Sequence, residues 1–133
     1  MKAYHLFISH SWTHSDAYDK LVALLRKRPN FEFRDYSVPK DDPIHTNGTT
    51  EQLRVAISQQ MQPCGVVLIL AGVYSTYSKW INREVEIAKS KKKPIIAIEP
   101  RASEKTSQYV KESANEIVGW NTDSIVSAIR KLA

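Results

Sequence analysis

The chain has 133 residues, a size that suits one domain, 1–133, and is too small for two independent hydrophobic cores. Its composition is 42% hydrophobic and 25% charged, which is ordinary for a globular protein and excludes disorder or a fibrous repeat. The formal charge of +5 favours anionic partners in general.

The cysteine content and the apolar runs indicate where the protein acts. Cys64 is the only cysteine, so no intrachain disulfide can form and a reduced cytoplasm is expected. The longest apolar run, Gly65 to Val73, is about half of the roughly 20 residues that a membrane helix needs. The lysines from Lys89 to Lys93 close a predicted helix, where cations stabilise the macrodipole, and they lack the interleaved aromatics of a nucleic-acid surface. We expect neither a membrane nor a nucleic acid as partner.

The first half of the chain alternates between strand and helix patterns. Tyr4–Ile8 is a short apolar run that predicts a buried strand, and a helical stripe from Ser15 to about Arg28 follows it. Phe31–Arg34 alternates and predicts a second, more exposed strand, followed by a polar loop over 35–48. A Thr-x-x-Gln capping box at Thr49 then opens a second helix.

The second half continues the alternation. Gly65–Leu70 has no polar alternation and many β-branched residues, as a central parallel strand requires. The remaining patterns predict a third helix, a buried strand, a short uncertain helix, a short last strand and a closing amphipathic helix: Ser78–Lys91, Pro94–Ile98, Ser107–Asn115, Ile117–Gly119 and a stripe from Ile125 to Leu132.

This order predicts a three-layer α/β fold, flavodoxin-like in outline, with a parallel sheet of about five strands flanked by helices. Ligands of such sheets bind outside the carboxyl ends of the strands, at the point where the strand order reverses. The expected site therefore comprises the loops after Ile8, Arg34 and Leu70 and the start of the third helix.

One carboxylate falls on a predicted apolar face. At about 100° per residue, Glu84 lies between Trp80 and Val85 on the inward side of the third helix, whereas Glu86 points to solvent. An inward carboxylate needs a partner or a cavity, and the residues alone slightly favour a structural bond to Arg34, a serine hydroxyl or a backbone amide. Its location in the early turns of a helix that begins at the ligand-binding edge favours a functional role.

Three segments together resemble the TIR-domain superfamily, and within it the bacterial TIR-like proteins of the Thoeris antiphage system. An apolar strand ends in Ile-Ser, a second strand ends in an acid, and a Ser-x-Trp-x-x-x-Glu helix precedes the next strand. These segments are Tyr4–Ser11, Phe33–Asp35 and Ser78–Ala88 with Lys93–Ile98.

The resemblance implies an enzyme that cleaves the nicotinamide glycosidic bond of NAD, giving nicotinamide and ADP-ribose or a cyclic ADP-ribose isomer. NAD is then the substrate, and neither a separate cofactor nor a metal is implied. Glu84 matches the catalytic glutamate. The resemblance and the predicted loops together nominate substrate-binding residues: Phe7, Ser9, His10, Ser11, Trp12, Asp35, Tyr36, Ser37, Tyr74 and Trp80.

The same resemblance implies partners. Members of this group assemble into homo-oligomers on activation, and a neighbouring chain often completes their site. A phage-derived trigger and a downstream effector reached through a nucleotide signal are implied as well.

Two other functions remain open at this point. Many TIR domains are non-catalytic interaction modules. Residues 38–48 do not match the BB-loop sequence that is usual in TIR domains. A nucleoside deoxyribosyltransferase-like enzyme has a related sheet and also uses a glutamate. A phosphoacceptor receiver is disfavoured because Ser9-His10 and Ala71-Gly72 stand where its metal-binding carboxylates belong. The four histidines show no zinc-ligand spacing with Cys64.

Overall fold

The structure, a computed structural model, describes residues 3–8, 17–36, 50–70, 74–99 and 108–133. Strands and helices alternate through these residues. In chain order they are β1 (Ala3–Ile8), α1 (Ala17–Arg26), β2 (Glu32–Asp35), α2 (Thr50–Met61), β3 (Val66–Leu70), α3 (Tyr74–Ser90), β4 (Ile95–Glu99), α4 (Gln108–Ser113), β5 (Glu116–Gly119) and α5 (Thr122–Leu132).

The five strands form one sheet in the order β2-β1-β3-β4-β5, and every neighbouring pair is parallel. This order is that of flavodoxin-like folds, whose strand order reverses between β1 and β3. The predicted α/β class and parallel sheet are therefore confirmed. The helix suggested for residues 107–115 is present as α4.

Both faces of the sheet are covered, as its apolar strands require. One face packs against α1 and α5 and contributes Leu6, Ile8, Val66, Leu68, Ile96 and Ile98 to a first core cluster. The other face packs against α2, α3 and α4, and its cluster includes Phe7, Val67, Ile69, Ile95 and Ala97. The strand alternation thus decides which residues share a layer with α3.

The start of the third helix differs from the prediction. The apolar stripe predicted a helix from Ser78, but α3 begins at Tyr74. The added residues, Tyr-Ser-Thr-Tyr, are weak helix formers with no apolar period, so the sequence holds no local signal for this turn and tertiary context decides it. Glu84 is therefore the eleventh residue of α3, and the prediction that it lies in the early turns is wrong.

The other element boundaries shift by a few residues. Asp35, predicted as the first loop residue after the second strand, is the last residue of β2. The first helix ends at Arg26, two residues before the predicted end. Within the described part of the chain, no helix has both the length and the apolar character that crossing a membrane would require.

Candidate active site

The strand order reverses between β1 and β3, and the expected ligand crevice lies outside the carboxyl ends of these two strands. Ile8 is the last residue of β1 and pairs with Leu68, and β3 continues for two residues to Leu70. Helix α3 follows β3 and starts from this edge. The described part of the site therefore consists of the strand ends and the helix that leaves them.

Glu84 is buried completely. Its relative exposure is 0%, and among the described residues no other charged or polar side chain is buried to that degree. Its neighbour Val85 is also buried, whereas Glu86 is exposed. The helical period of the sequence thus predicted the contrasting environments of the two glutamates correctly.

Glu84 belongs to the layer that packs against Phe7. Val85 and Ala88, one and four residues after it along α3, are in the same core cluster as Phe7 and Val67. Glu84 lies ten residues after Tyr74, which corresponds to about 15 Å along the helix axis. Side chains on a helix tilt toward its amino terminus, so the Glu84 side chain leans toward the start of α3.

Phe7 is the penultimate residue of β1 and has no exposed surface. Its side chain packs on the face that α3 covers, among the apolar residues around Val67 and Val85. Its predicted role in substrate binding stays a prediction.

Asp35 and Tyr36 lie at the end of the edge strand. Asp35 pairs with Leu6, and the Tyr36 amide donates to the Leu6 carbonyl at 2.9 Å. β2 thus ends two residues short of Ile8, which corresponds to about 7 Å along the strand. Both side chains are half-buried, so they flank the crevice on the β2 side.

The aromatic ring of Tyr36 has a neighbour that the sequence analysis did not select. His5 lies on the same face of β1 as Phe7, and its ring centroid is 5.1 Å from that of Tyr36. The Tyr36 hydroxyl is 3.5 Å from His5 Nδ1, and the same nitrogen is 3.3 Å from the Pro63 carbonyl. The two-residue period of β1 puts His5 on the same face as Phe7, but its contact with Tyr36 depends on the register of β1 against β2.

The remaining predicted residues contribute less to this picture. Ser9, His10, Ser11, Trp12 and Ser37 lie outside the described residues. Tyr74 and Trp80 belong to α3, ten and four residues before Glu84, and only their backbone is described. Their roles stay predictions, as does the capping box at Thr49.

Cys64 belongs to the same core cluster as Phe7, and its thiol is unreactive. It is 2% exposed, and its Sγ donates to the Gln60 carbonyl at 3.3 Å. Burial raises the pKa of the thiol to about 12, against the smaller lowering effect of the Lys93 ammonium. The thiol is therefore protonated at neutral pH and is no candidate nucleophile.

Two cavities are lined by described residues, and neither includes Glu84. One, of about 200 Å³, lies between α2 and α3, and the other, of about 370 Å³, lies at the amino edge of β4. Within the described ranges no three histidine, cysteine or acidic residues come together as a metal site requires. Since His10, His14 and His45 lie outside those ranges, the absence of a metal stays a prediction.

Parallel strands in the order 2-1-3-4-5, with a buried carboxylate on the helix after β3, define a flavodoxin-like α/β protein of the TIR-like kind. Residues 7–105 match the family described as Thoeris protein ThsB, TIR-like domain. The match covers about three quarters of the 133 residues, and the chain belongs to this family. No curated protein matches the chain.

Proposed function

We propose that the chain is an NAD-consuming enzyme of antiphage defence. It cleaves the nicotinamide glycosidic bond and releases nicotinamide together with ADP-ribose or a cyclic ADP-ribose isomer. The observation that carries the proposal is Glu84, the one charged side chain that is fully buried among the described residues. Membership in the Thoeris TIR-like family supports the antiphage role.

The chemistry fits a desolvated carboxylate. Breaking an N-glycosidic bond develops positive charge at the anomeric carbon of the ribose, and no such charge exists in the ground state. A carboxylate held in a low-dielectric layer stabilises this charge more strongly in the transition state than it stabilises bound substrate. Glu84 therefore acts as an electrostatic stabiliser that also accepts hydrogen bonds from the ribose hydroxyls.

The fold supports this role by position. α3 leaves the carboxyl edge where ligands of such sheets bind, and its side chains tilt back toward that edge. Glu84 is fully buried on the helix whose next residue, Val85, shares a core cluster with Phe7, and this burial excludes the water that would screen its charge. The aromatic residues Trp12, Tyr36 and Tyr74 are proposed to stack on the nicotinamide or adenine ring.

The proposal includes the setting of the reaction. NAD acts as substrate rather than cofactor, and no metal takes part. A phage-derived trigger promotes self-association, which completes the site, and the nucleotide product carries the signal to a downstream effector. The reaction takes place in the cytoplasm, where a reduced Cys64 is stable.

The test compares two glutamates that are two residues apart on α3. Glu84→Gln removes the buried charge without changing the shape of the side chain, and Glu86→Gln makes the same change at an exposed position. NAD content and nicotinamide release are measured in bacteria expressing each full-length chain, before and after phage infection, and with the purified proteins. We expect Glu84→Gln to lose at least about 100-fold of the activity and Glu86→Gln to retain it.

Three results would contradict the proposal. Equal residual rates for wild type and Glu84→Gln under infection would remove the catalytic assignment. Strong self-association with no response to NAD would favour the interaction module, and nucleobase exchange without NAD cleavage would favour the deoxyribosyltransferase-like enzyme. Should Glu84→Gln fail to fold by circular dichroism, Glu84→Asp keeps the charge, shortens its reach and is expected to lose most of the activity.

A further inference from the structure

A basic cavity lies at the amino edge of the sheet, opposite the edge of the candidate active site. Its volume is about 370 Å³, and its wall includes two apolar residues where β4 begins. The end of α3 and the segment around the end of α4 supply its polar lining, which contains no carboxylate. These polar residues are Lys89, Lys92, Lys93, Ser113 and Asn115.

The lysines are not needed to cap α3, because its backbone closes the helix end. The Lys93 amide donates to the Ala88 carbonyl at 2.9 Å, and the Lys92 amide donates to the Lys89 carbonyl at 3.1 Å. These two bonds form a Schellman motif. The Ile87 carbonyl accepts from the Lys91 amide at 3.0 Å. These carbonyls therefore do not need the lysine side chains as hydrogen-bond donors.

The ammonium groups of two lysines that line the cavity have partners in the protein. Lys89 Nζ lies 5.6 Å from the ring centroid of Tyr109, as in a cation–π contact. Lys93 Nζ donates to the Gln62 carbonyl at 3.0 Å. Neither lysine forms any of the salt bridges found among the described residues. Since an ammonium has three donors, both retain donors for a ligand.

The backbone at Lys92 is unusual. Its φ is +57°, in the left-handed region where a Schellman motif ordinarily has glycine. A side chain with a Cβ is unfavourable there, and such a residue persists where the surrounding structure holds it in place. Lys92, the residue in this conformation, lines the cavity.

Asn115 completes the polar wall with a fixed orientation. The backbone N–H of Asn115 donates to the Ile95 carbonyl at 2.8 Å, and the side-chain Oδ1 of Asn115 accepts from the Ile95 backbone N–H at 2.8 Å. Because a backbone N–H can only donate, the oxygen of the side-chain amide must face Ile95. The two donors on Nδ2 are thus directed away from the strand.

We propose that this cavity binds the phosphate groups of a small molecule. Three lysines, a serine and an asparagine line one concave volume and carry hydrogen-bond donors, and a phosphate supplies several acceptor oxygens with more than one negative charge. The volume suits a diphosphate or a small nucleotide rather than an extended polyanion. The lining of this cavity does not include Glu84, and the proposal does not depend on the function proposed for Glu84.

Inorganic pyrophosphate is the probe, and its binding to the full-length protein is measured by calorimetry at about 100 mM salt, where distant charges are screened. Asn115→Asp keeps the acceptor for the Ile95 amide and replaces the Nδ2 donors by negative charge. We expect it, and the double variant Lys89→Gln/Lys92→Gln, to weaken binding at least tenfold. The control is Lys20→Gln/Lys27→Gln, which removes the same charge from exposed positions on and beside α1 and is expected to bind as wild type does.

Several outcomes would overturn the inference. Equal weakening by both double variants would mean attraction by net charge alone. Absence of saturable binding to wild type up to about 10 mM pyrophosphate would leave no site. Equally tight binding of malonate would remove the preference for phosphate, and binding of duplex DNA without pyrophosphate would make the surface one for nucleic acid. Thermal melting of each variant checks folding, and since NAD is absent from the assay, its result is independent of catalysis.

Discussion

The buried thiol of Cys64 makes the stability of the protein fall at alkaline pH. Its pKa rises from the ordinary value of 9.0 to about 12 in the folded protein, because burial penalises the thiolate. The folded state therefore binds this proton more tightly than the unfolded state does. The resulting stability is fully present below pH 9 and is lost progressively as the pH rises toward 12.

The magnitude follows from the difference between the two pKa values. With 9.0 unfolded and about 12 folded, the loss is about 1.4 kcal/mol at pH 10 and about 2.7 kcal/mol at pH 11. Cys64→Ala removes the titrating group. The substitution also loses packing energy, but this loss does not depend on pH. The informative quantity is therefore how the difference in free energy of unfolding between wild type and Cys64→Ala changes with pH.

The assay is urea unfolding of wild type and Cys64→Ala at pH 8, 9, 10 and 11, with a phosphine reductant present. Lysines and tyrosines titrate in the same range, but they do so in both proteins and cancel in the difference. We expect the stability advantage of wild type to shrink by about 1.4 kcal/mol between pH 8 and pH 10. Parallel curves would show that the thiol titrates normally and is not desolvated in the folded protein.

Two further predictions concern residues at the ends of helices. Lys92→Gly relieves the left-handed strain and is expected to raise the free energy of unfolding by up to about 1 kcal/mol, while weakening pyrophosphate binding. Asn30→Gly is the matched control, because asparagine tolerates its φ of +59° and little change is expected. Asn121 caps α5 by accepting from the Ser124 amide at 3.1 Å, so Asn121→Ala should lower the stability by about 1 kcal/mol in urea titrations. No gain from Lys92→Gly, or no loss from Asn121→Ala, would contradict the respective argument.

The candidate site was only partly predictable from the sequence. The burial of Glu84 and the exposure of Glu86 followed from the helical period alone, since a helix wheel needs only local geometry. The position of Glu84 along α3 did not follow, because the first turn of that helix has no propensity signal. The contact of Tyr36 with His5 depends on the register of β1 against β2, which local patterns do not specify.

The basic cavity was also only partly predictable from the sequence. The lysine run from Lys89 to Lys93 is visible in the sequence, where it predicts a solvated helix end. Its meaning changes once Ser113 and Asn115, twenty or more residues away, form the other wall of a concave site. A cluster of charged residues becomes a candidate binding site only when residues from distant parts of the sequence fold against it.

The sequence by itself determined the class of fold, the alternation of strands and helices, and the inward face of α3, because each depends on residues within a few positions of one another. Tertiary structure alone decided the strand order, the level at which each strand ends, and which side chains meet around Glu84 and around the basic cavity. The reason is that hydrophobic burial acts between segments far apart in the chain. Their pairing is chosen by how all the apolar faces can be covered at once.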